Sequence, residues 1–159
     1  AKTPTTKVIG AVNSTALVKN TDYTVTYAST RKSVGTYKVT VKGKGNYTGT
    51  ISKTFTINPK GTSLVSLTAA SKGFTVKWKK QATKMSSSAV TGYQVRYSTK
   101  SSMASAKTVT IKGASTVSKK ITKLTGKKKY YVQVRTYKTV SGTKYYSAWS
   151  AKKAVTTKK

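Results

Sequence analysis

The sequence predicts an all-β protein. Along most of the 159 residues, β-branched and aromatic residues alternate with Thr, Ser and Lys, and a period of two is typical of strands with one buried face. No segment carries the 3.6-residue apolar period of an amphipathic helix. Clusters of Gly, Asn, Ser and Thr separate the alternating segments, as turn residues do. High net charge and low hydrophobicity favour a disordered chain, but the regular alternation argues against that alternative.

Four strands are predicted in the first part of the chain, at residues 7–12, 23–27, 36–42 and 49–58. In the third of them, Tyr37, Val39 and Val41 share one face and the intervening residues are Lys and Thr. This pattern indicates a sheet with one side in water. Pro59 then blocks further strand pairing, because proline has no backbone N–H to donate. We therefore place a linker at residues 58–62 and two domains, at residues 1–59 and 60–159.

Seven strands are predicted in the second domain, at residues 64–69, 74–78, 93–98, 108–112, 119–124, 130–138 and 144–155. Loops rich in Ser, Thr, Lys and Gly separate them, notably at residues 81–92 and 100–107. Short strands at this spacing are typical of a β-sandwich.

Three motifs characterise the first domain: Asp-Tyr-Thr-Val-Thr-Tyr from Asp22, Val-Gly-Thr at 34–36 and Gly-Asn-Tyr-Thr-Gly at 45–49. With them, residues 22–57 resemble the Ig-like repeats of large bacterial surface proteins. The resemblance implies a small Ig-like β-domain that lacks its first strand. Such domains often carry a Lys–Asn isopeptide crosslink assisted by a buried carboxyl group. Since this chain has no Glu and Asp22 follows a turn-like Asn-Thr, we predict that Asp22 caps local backbone N–H groups and that no isopeptide bond forms.

In the second domain, Trp78 stands on the second predicted strand, Tyr93, Val95 and Tyr97 alternate on the third, and Tyr130 follows Leu124 by six residues. These positions resemble the core tryptophan, third strand and tyrosine corner of a fibronectin type III domain. The resemblance implies a seven-stranded fibronectin type III β-sandwich. Tandem modules of this kind are similar to the repeat regions of secreted or wall-attached proteins of Gram-positive gut anaerobes, which act as stalks, spacers or adhesive modules. The resemblance therefore also implies an extracellular or cell wall-associated location.

The chain has almost none of the carboxyl, imidazole and thiol groups on which most catalytic and metal sites depend. Asp22 is the only acidic residue, and the chain has no His and no Cys. General acid–base catalysis and paired-carboxylate hydrolysis both use residue types that are missing here, as do zinc and calcium sites. We therefore predict no enzyme, no catalytic residues, no metal and no cofactor. No apolar run approaches the ~18 residues of a membrane helix, so we expect no transmembrane segment, and we expect a monomer.

Positive charge is the dominant property of the chain, with 32 Lys and Arg and a net charge of +31. Residues 1–59 hold nine basic residues and one acid, net +8, whereas residues 60–159 hold twenty-three basic residues and no acid, net +23. Such a surface attracts polyanions in a salt-dependent way, and we expect non-specific binding of teichoic acid, glycosaminoglycan-like glycans, DNA or RNA. The candidate polyanion-binding residues are Lys77, Lys79, Lys80, Lys119, Lys120, Lys123, Lys127, Lys128, Lys129, Lys152 and Lys153. Two alternatives remain open: a natural or engineered supercharged carrier of nucleic acid, and accessory domains of a wall-active enzyme.

Strand parity places Arg96, Arg135 and Tyr131 on one exposed sheet of the second domain, with Trp149 on the last predicted strand beside them. A guanidinium stacks well on an indole, so these residues are candidates for an aromatic–cation ladder that braces the sheet. The alternative is a stacking platform for sugars or bases formed by Trp149, Tyr131 and Tyr137.

Overall fold

The computed structural model describes residues 3–10, 15–29, 31–84 and 89–159. Two compact units divide the chain, a first unit at Ala1–Ile57 and a second unit at Asn58–Lys159. The residues described in both units form strands, turns and loops. They include no helix, and so none with the length and apolarity to cross a membrane.

The first unit is an antiparallel meander of three strands: β1 (Tyr23–Tyr27), β2 (Gly35–Gly43) and β3 (Thr50–Ile57). Its buried apolar residues include Tyr23, Val34, Val39 and Ile57. The prediction of a strand at residues 7–12 is wrong for residues 7–10, which the structure describes. Residues 11 and 12 lie outside the described residues, and the rest contributes only an isolated bridge between Ile9 and Ala16. A single bridge leaves the segment without the continuous ladder of hydrogen bonds that defines a strand.

Asp22 closes the turn that leads into β1. Its carboxylate accepts a hydrogen bond from the Val18 N–H at 2.8 Å, and its own N–H donates to the Val18 carbonyl at 2.9 Å. The predicted role of Asp22 as a local cap is confirmed. The only acidic side chain of the protein thus bonds to its own backbone neighbourhood.

The second unit is a sandwich of two antiparallel sheets. A three-stranded sheet has the order β4-β5-β8, and a second sheet has the order β10-β9-β6-β7 with β11 also paired to β9. The strands are β4 (Leu64–Ala70), β5 (Gly73–Trp78), β6 (Gly92–Ser98), β7 (Lys107–Lys112), β8 (Ser118–Ile121), β9 (Lys129–Val140), β10 (Thr143–Tyr146) and β11 (Lys153–Thr156). We call the solvent side of the five-stranded sheet the outer face.

The core of this unit forms where the inner faces of the two sheets meet. Phe74 and Val76 from the three-stranded sheet are fully buried with Val95 and Val134 from the five-stranded sheet. Burial of each such side chain stabilises the fold by about 1.5–3 kcal/mol. The alternation that predicted the strands therefore has its physical cause here, because every second residue of β5, of β6 and of the first half of β9 packs in or against this core.

The strand predicted at residues 144–155 is wrong as a single strand, because it divides into β10 and β11. Between them, the Ser147 and Ser150 N–H groups still donate to carbonyls of β9. In the opposite direction, the β9 amides of Thr136 and Val134 donate to the Ser147 and Ser150 hydroxyls, both at 3.1 Å. Two side chains thus take the place of strand carbonyls. The regular ladder is interrupted, and Trp149 lies within the interruption.

Candidate polyanion interface and its cation–aromatic stack

Two copies of the tripeptide Gln-Val-Arg cross-pair on the outer face. They begin at Gln94 in β6 and at Gln133 in β9, and the antiparallel register sets Gln94 opposite Arg135 and Arg96 opposite Gln133. Each arginine donates from Nε and Nη2 to the Oε1 of the opposite glutamine, over distances of 2.7–3.0 Å. These paired bonds fix both guanidinium groups on the sheet surface.

Aromatic rings stack between and beside the two guanidinium groups. The guanidinium carbons of Arg96 and Arg135 lie 4.4 Å and 4.3 Å from the centroid of the Trp149 ring. Arg135 also lies 4.0 Å from the centroid of Tyr146, whose ring is 6.3 Å from that of Tyr137. We call Arg96, Trp149, Arg135 and Tyr146 the cation–aromatic stack. Its rings already contact cations of the protein itself, which reduces the ring surface that a base or sugar could use.

The surroundings of Arg135 act on its pKa in two directions. Burial lowers the pKa of Arg135, the Tyr146 phenol acts in the opposite direction, and the Arg96 charge lowers the pKa further. A guanidinium is too basic to lose its proton in a protein, so this shift leaves the Arg135 charge in place. The glutamine oxygens satisfy hydrogen bonds without neutralising charge. The outer face therefore carries two fixed positive charges in the stack.

Residues 58–152 match the fibronectin type III domain family. The chain belongs to this family. Among solved structures, the chain is similar to the FN1–FN3 domains of chicken CNTN1, at 21% identity and a TM-score of 0.54 over 83% of this chain and 46% of that chain. It is also similar to a myokine structure, at 15% identity and a TM-score of 0.48 over 64% of this chain and 99% of that chain. At 21% identity, the likeness to the CNTN1 domains shows the fold alone. No curated protein matches the chain.

The residues that suggested the fibronectin type III family occupy its core. Trp78 lies on β5 and packs against Tyr93 of β6, with ring centroids 5.3 Å apart. The hydroxyl of Tyr130, at the start of β9, accepts a hydrogen bond from the Thr125 N–H at 3.2 Å. Leu124 packs against the same core. Domains of this family are generally non-catalytic modules, and the second unit has the β-sandwich predicted from the sequence.

Tyr131 lies outside the cation–aromatic stack and has cations of its own. Ammonium groups of Lys129 and Lys152 lie 5.5 Å and 5.9 Å from the centroid of its ring. Lys152 also donates to the carbonyl of Ser101. Two of the candidate polyanion-binding lysines are thus brought together on the outer face, although they lie 23 positions apart in the sequence.

The lysines of the three-stranded sheet are only partly brought together. Lys120 pairs with Thr75 and Lys77 pairs with Ser118, so Lys77 and Lys120 lie diagonally on the solvent side of this sheet. Lys119 pairs with Val76, a core residue, and therefore has the opposite parity at the sheet edge. Lys79 and Lys80 follow β5 and are exposed.

The remaining candidate lysines lie at loops and at an edge. The backbone amides of Lys127 and Lys128 both bond to Thr157, and the Lys153 ammonium donates to the Val65 carbonyl at 3.1 Å. Lys123 lines a cavity of about 250 Å³ at one end of the sandwich, together with Lys100 and Lys107.

Sequence reasoning missed Tyr146, Lys100, Lys107 and the two glutamines that bond to the arginines of the stack. The repeated Gln-Val-Arg tripeptide was a signal for the glutamines, because two antiparallel copies in register must face each other's arginines. The two lysines carried no such signal, since Lys100 lies in the loop after β6, Lys107 begins β7, and Lys123 across the cavity belongs to the loop after β8.

Proposed function

We propose that the protein is a non-catalytic extracellular module of a bacterial surface or secreted protein, and that it binds anionic polymers through its positive charge. The observation that carries this proposal is the lack of acidic side chains to neutralise that charge. Asp22 is the only acidic side chain and is bonded to Val18 N–H. Arg96, Arg135 and Lys152 donate instead to uncharged amide or carbonyl oxygens. The net charge of +31 is thus available to an external polyanion.

The second unit is the main binding region in this proposal. The twenty-three basic residues at 60–159 are spread over both sheets and their loops, as a strong but diffuse field requires. The described residues offer no helix for a DNA major groove, and lysine is a point charge that does not read bases bidentately. Binding should therefore depend on charge density more than on sequence.

The first unit completes the proposed architecture. We assign residues 1–59 to an Ig-like bacterial surface repeat and residues 60–159 to the fibronectin type III domain. The three-stranded meander of the first unit and its motifs from Asp22 onward support the assignment. In this arrangement the module is a stalk or adhesive segment held close to wall polymers or host glycans.

The proposal is tested with the full chain in a salt series. Affinity is measured for heparin, for a teichoic acid and for two DNA duplexes of unrelated sequence. For duplex DNA, log K should fall with log salt at a slope of about −0.9 per phosphate neutralised. We expect the two duplexes to bind equally and most affinity to vanish between low and physiological salt.

Two matched variants locate the binding. One carries Lys→Gln at Lys77, Lys120, Lys129 and Lys152 of the fibronectin domain, and the other carries Lys→Gln at Lys32, Lys38, Lys42 and Lys53 of the first unit; all eight lysines are exposed. We expect the first variant to lower the salt slope by about 1 for each replaced lysine that had neutralised a phosphate and the second to lower it less. Equal effects would contradict the location. Affinity that persists in high salt would contradict charge-driven binding itself.

A further inference from the structure

One end of the fibronectin sandwich contains a cavity that polyanion binding at the sheet faces does not use. It has a volume of about 250 Å³ and lies between the loop after β6 and the loop after β8. Two aromatic rings line it, those of Tyr97 and Tyr130, and their centroids lie 6.2 Å apart. Its rim carries Lys100, Lys107 and Lys123.

The side chains of this cavity are rich in hydrogen-bond donors. Three ammonium groups can only donate. The Tyr97 hydroxyl makes no hydrogen bond to the residues that the structure describes, and the Tyr130 hydroxyl accepts one from Thr125 N–H but donates none among them. Both phenols therefore have a proton to offer. A cavity lined by residues with charged and neutral donors is complementary to an anion.

The cavity walls are held in place by their own contacts. The Ser98 hydroxyl donates to the Ala104 carbonyl at 2.8 Å and accepts from the Lys100 N–H at 3.1 Å. Met103, in the same loop, is buried. Across the cavity, Lys123 has a φ of +59°, which is uncommon for a residue with a side chain and is maintained by the surrounding structure. The backbone on both sides of the cavity is thus held in place before any ligand arrives.

Burial and the neighbouring Tyr130 raise the pKa of Tyr97. A higher pKa keeps the phenol protonated under all physiological conditions, so its O–H is a permanent donor. The lysines supply positive charge at the same time. The combination favours an oxyanion that can accept several hydrogen bonds at once.

We propose that this cavity binds one tetrahedral oxyanion, a phosphate or sulfate group, through Tyr97 and the three lysines. Small-molecule sites usually exceed about 300 Å³, so a single anionic group fits this space better than a polymer segment does. The proposal rests on the proposed function in one respect, namely that the group is carried on the anionic polymer. The cavity would then bind one phosphate or sulfate group of the polymer at a defined position, while the other lysines attract the polymer by charge alone.

The test is a titration of the full chain with inorganic phosphate and with inorganic sulfate, followed residue by residue through NMR chemical shifts. We expect saturable shifts centred on residues 97–107 and 123–125. Tyr97→Phe removes one O–H without changing charge or ring packing, and should weaken binding about tenfold, as loss of a hydrogen bond to a charged group does. Lys123→Gln should weaken binding several-fold. The control Lys120→Gln removes the same charge from the solvent side of the three-stranded sheet and should weaken binding less than twofold.

Equal effects of Lys123→Gln and Lys120→Gln, or shifts spread over all lysines, would overturn the site. So would unchanged affinity in Tyr97→Phe. A glycerol phosphate oligomer distinguishes the source of the group: tighter binding than inorganic phosphate assigns it to a polymer, equal binding assigns it to the free anion, and both support the cavity. Heparin and DNA binding by the same variants separates this proposal from the general one. If Tyr97→Phe keeps full polymer affinity and full phosphate affinity, the cavity fails while charge-driven binding stands.

Discussion

Replacement of Trp149 by Ala tests the cation–aromatic stack directly. The indole is half-buried and has the guanidinium groups of Arg96 and Arg135 within 4.4 Å of its centroid. Removing the ring takes away both interactions and uncovers the sheet surface beneath. It leaves the net charge of the protein unchanged. Stability and polyanion binding should therefore respond differently to this one substitution.

The expected decrease in stability follows from these interactions. Each guanidinium–indole pair contributes about 0.5–1 kcal/mol at an exposed site. An aromatic side chain buries roughly 200 Å² when covered completely, and about half of that area contributes about 2.5 kcal/mol at ~25 cal/mol per Å². The free energy of unfolding of the fibronectin unit should fall by about 3.5–4.5 kcal/mol. For a domain of this size, the melting temperature should then fall by at least ~10 °C.

The assay is thermal and denaturant unfolding followed by tryptophan fluorescence. Both tryptophans lie in the second unit, so Trp78 still reports on that unit in the variant. Tyr131→Ala is the matched control, because its ring is also partly buried but the cations near it are lysines at 5.5–5.9 Å, so it should cost less than Trp149→Ala does. Combined with Arg135→Lys in a double-mutant cycle, Trp149→Ala should show a coupling of about 0.5–1 kcal/mol.

The opposite pattern would refute this reasoning. If Trp149→Ala melted within a few degrees of the parent and lost its affinity for heparin or DNA, the ring would be a ligand platform. A coupling energy of zero with Arg135 would show that the stack contributes nothing beyond burial of the indole.

Three further predictions concern the same unit. Ser147→Ala deprives the buried Thr136 amide of its acceptor, so we expect a loss of about 1–3 kcal/mol and faster hydrogen exchange at that amide; unchanged exchange would contradict the role of the hydroxyl. Gly92→Ala places a methyl group against the Ile111 carbonyl and 2.9 Å from the Tyr137 ring. This overpacking should lower the free energy of unfolding by about 1–3 kcal/mol. Gly61→Ala, whose nearest neighbouring atom would lie at 3.6 Å, should leave the melting temperature nearly unchanged, and equal losses would refute the overpacking argument. Because burial raises the pKa of Tyr97, its stabilising contribution should be complete below about pH 10 and be lost as pH rises through the folded-state pKa. Burial raises the pKa of Tyr137 as well, so phenolate absorbance should show late-titrating groups, and Tyr97→Phe should remove one of them.

The strands that the sequence predicted most accurately are those that alternate cleanly. The strand predicted at 23–27 coincides with β1, and those at 74–78 and 93–98 differ from β5 and β6 by one residue at the start. In each, alternate side chains enter a core, so the period of two is a direct record of burial. Alternation was misleading at 144–155, because Ser147 and Ser150 follow the pattern of a strand while their hydroxyls replace its hydrogen bonds.

For the candidate site, strand parity alone put Arg96, Arg135 and Tyr131 on a common sheet surface. It could not order them, because parity gives the face of a residue and not its neighbour on the next strand. Register decides the neighbour, and Gln133 lies 37 positions after Arg96, with two other strands between them. That register sets each arginine opposite a glutamine, to which it donates two hydrogen bonds. It also separates Tyr131 from Trp149.

The sequence by itself determined the all-β class, the fibronectin type III core built on Trp78 and the positive charge, because composition and local periodicity are properties of the chain alone. Only the tertiary structure decided which charges share a surface. Lys129 and Lys152 meet at Tyr131, whereas the adjacent Lys119 and Lys120 have opposite parity in β8. The physical reason is that successive side chains of a strand alternate between faces, while strand pairing brings distant residues within about 5 Å.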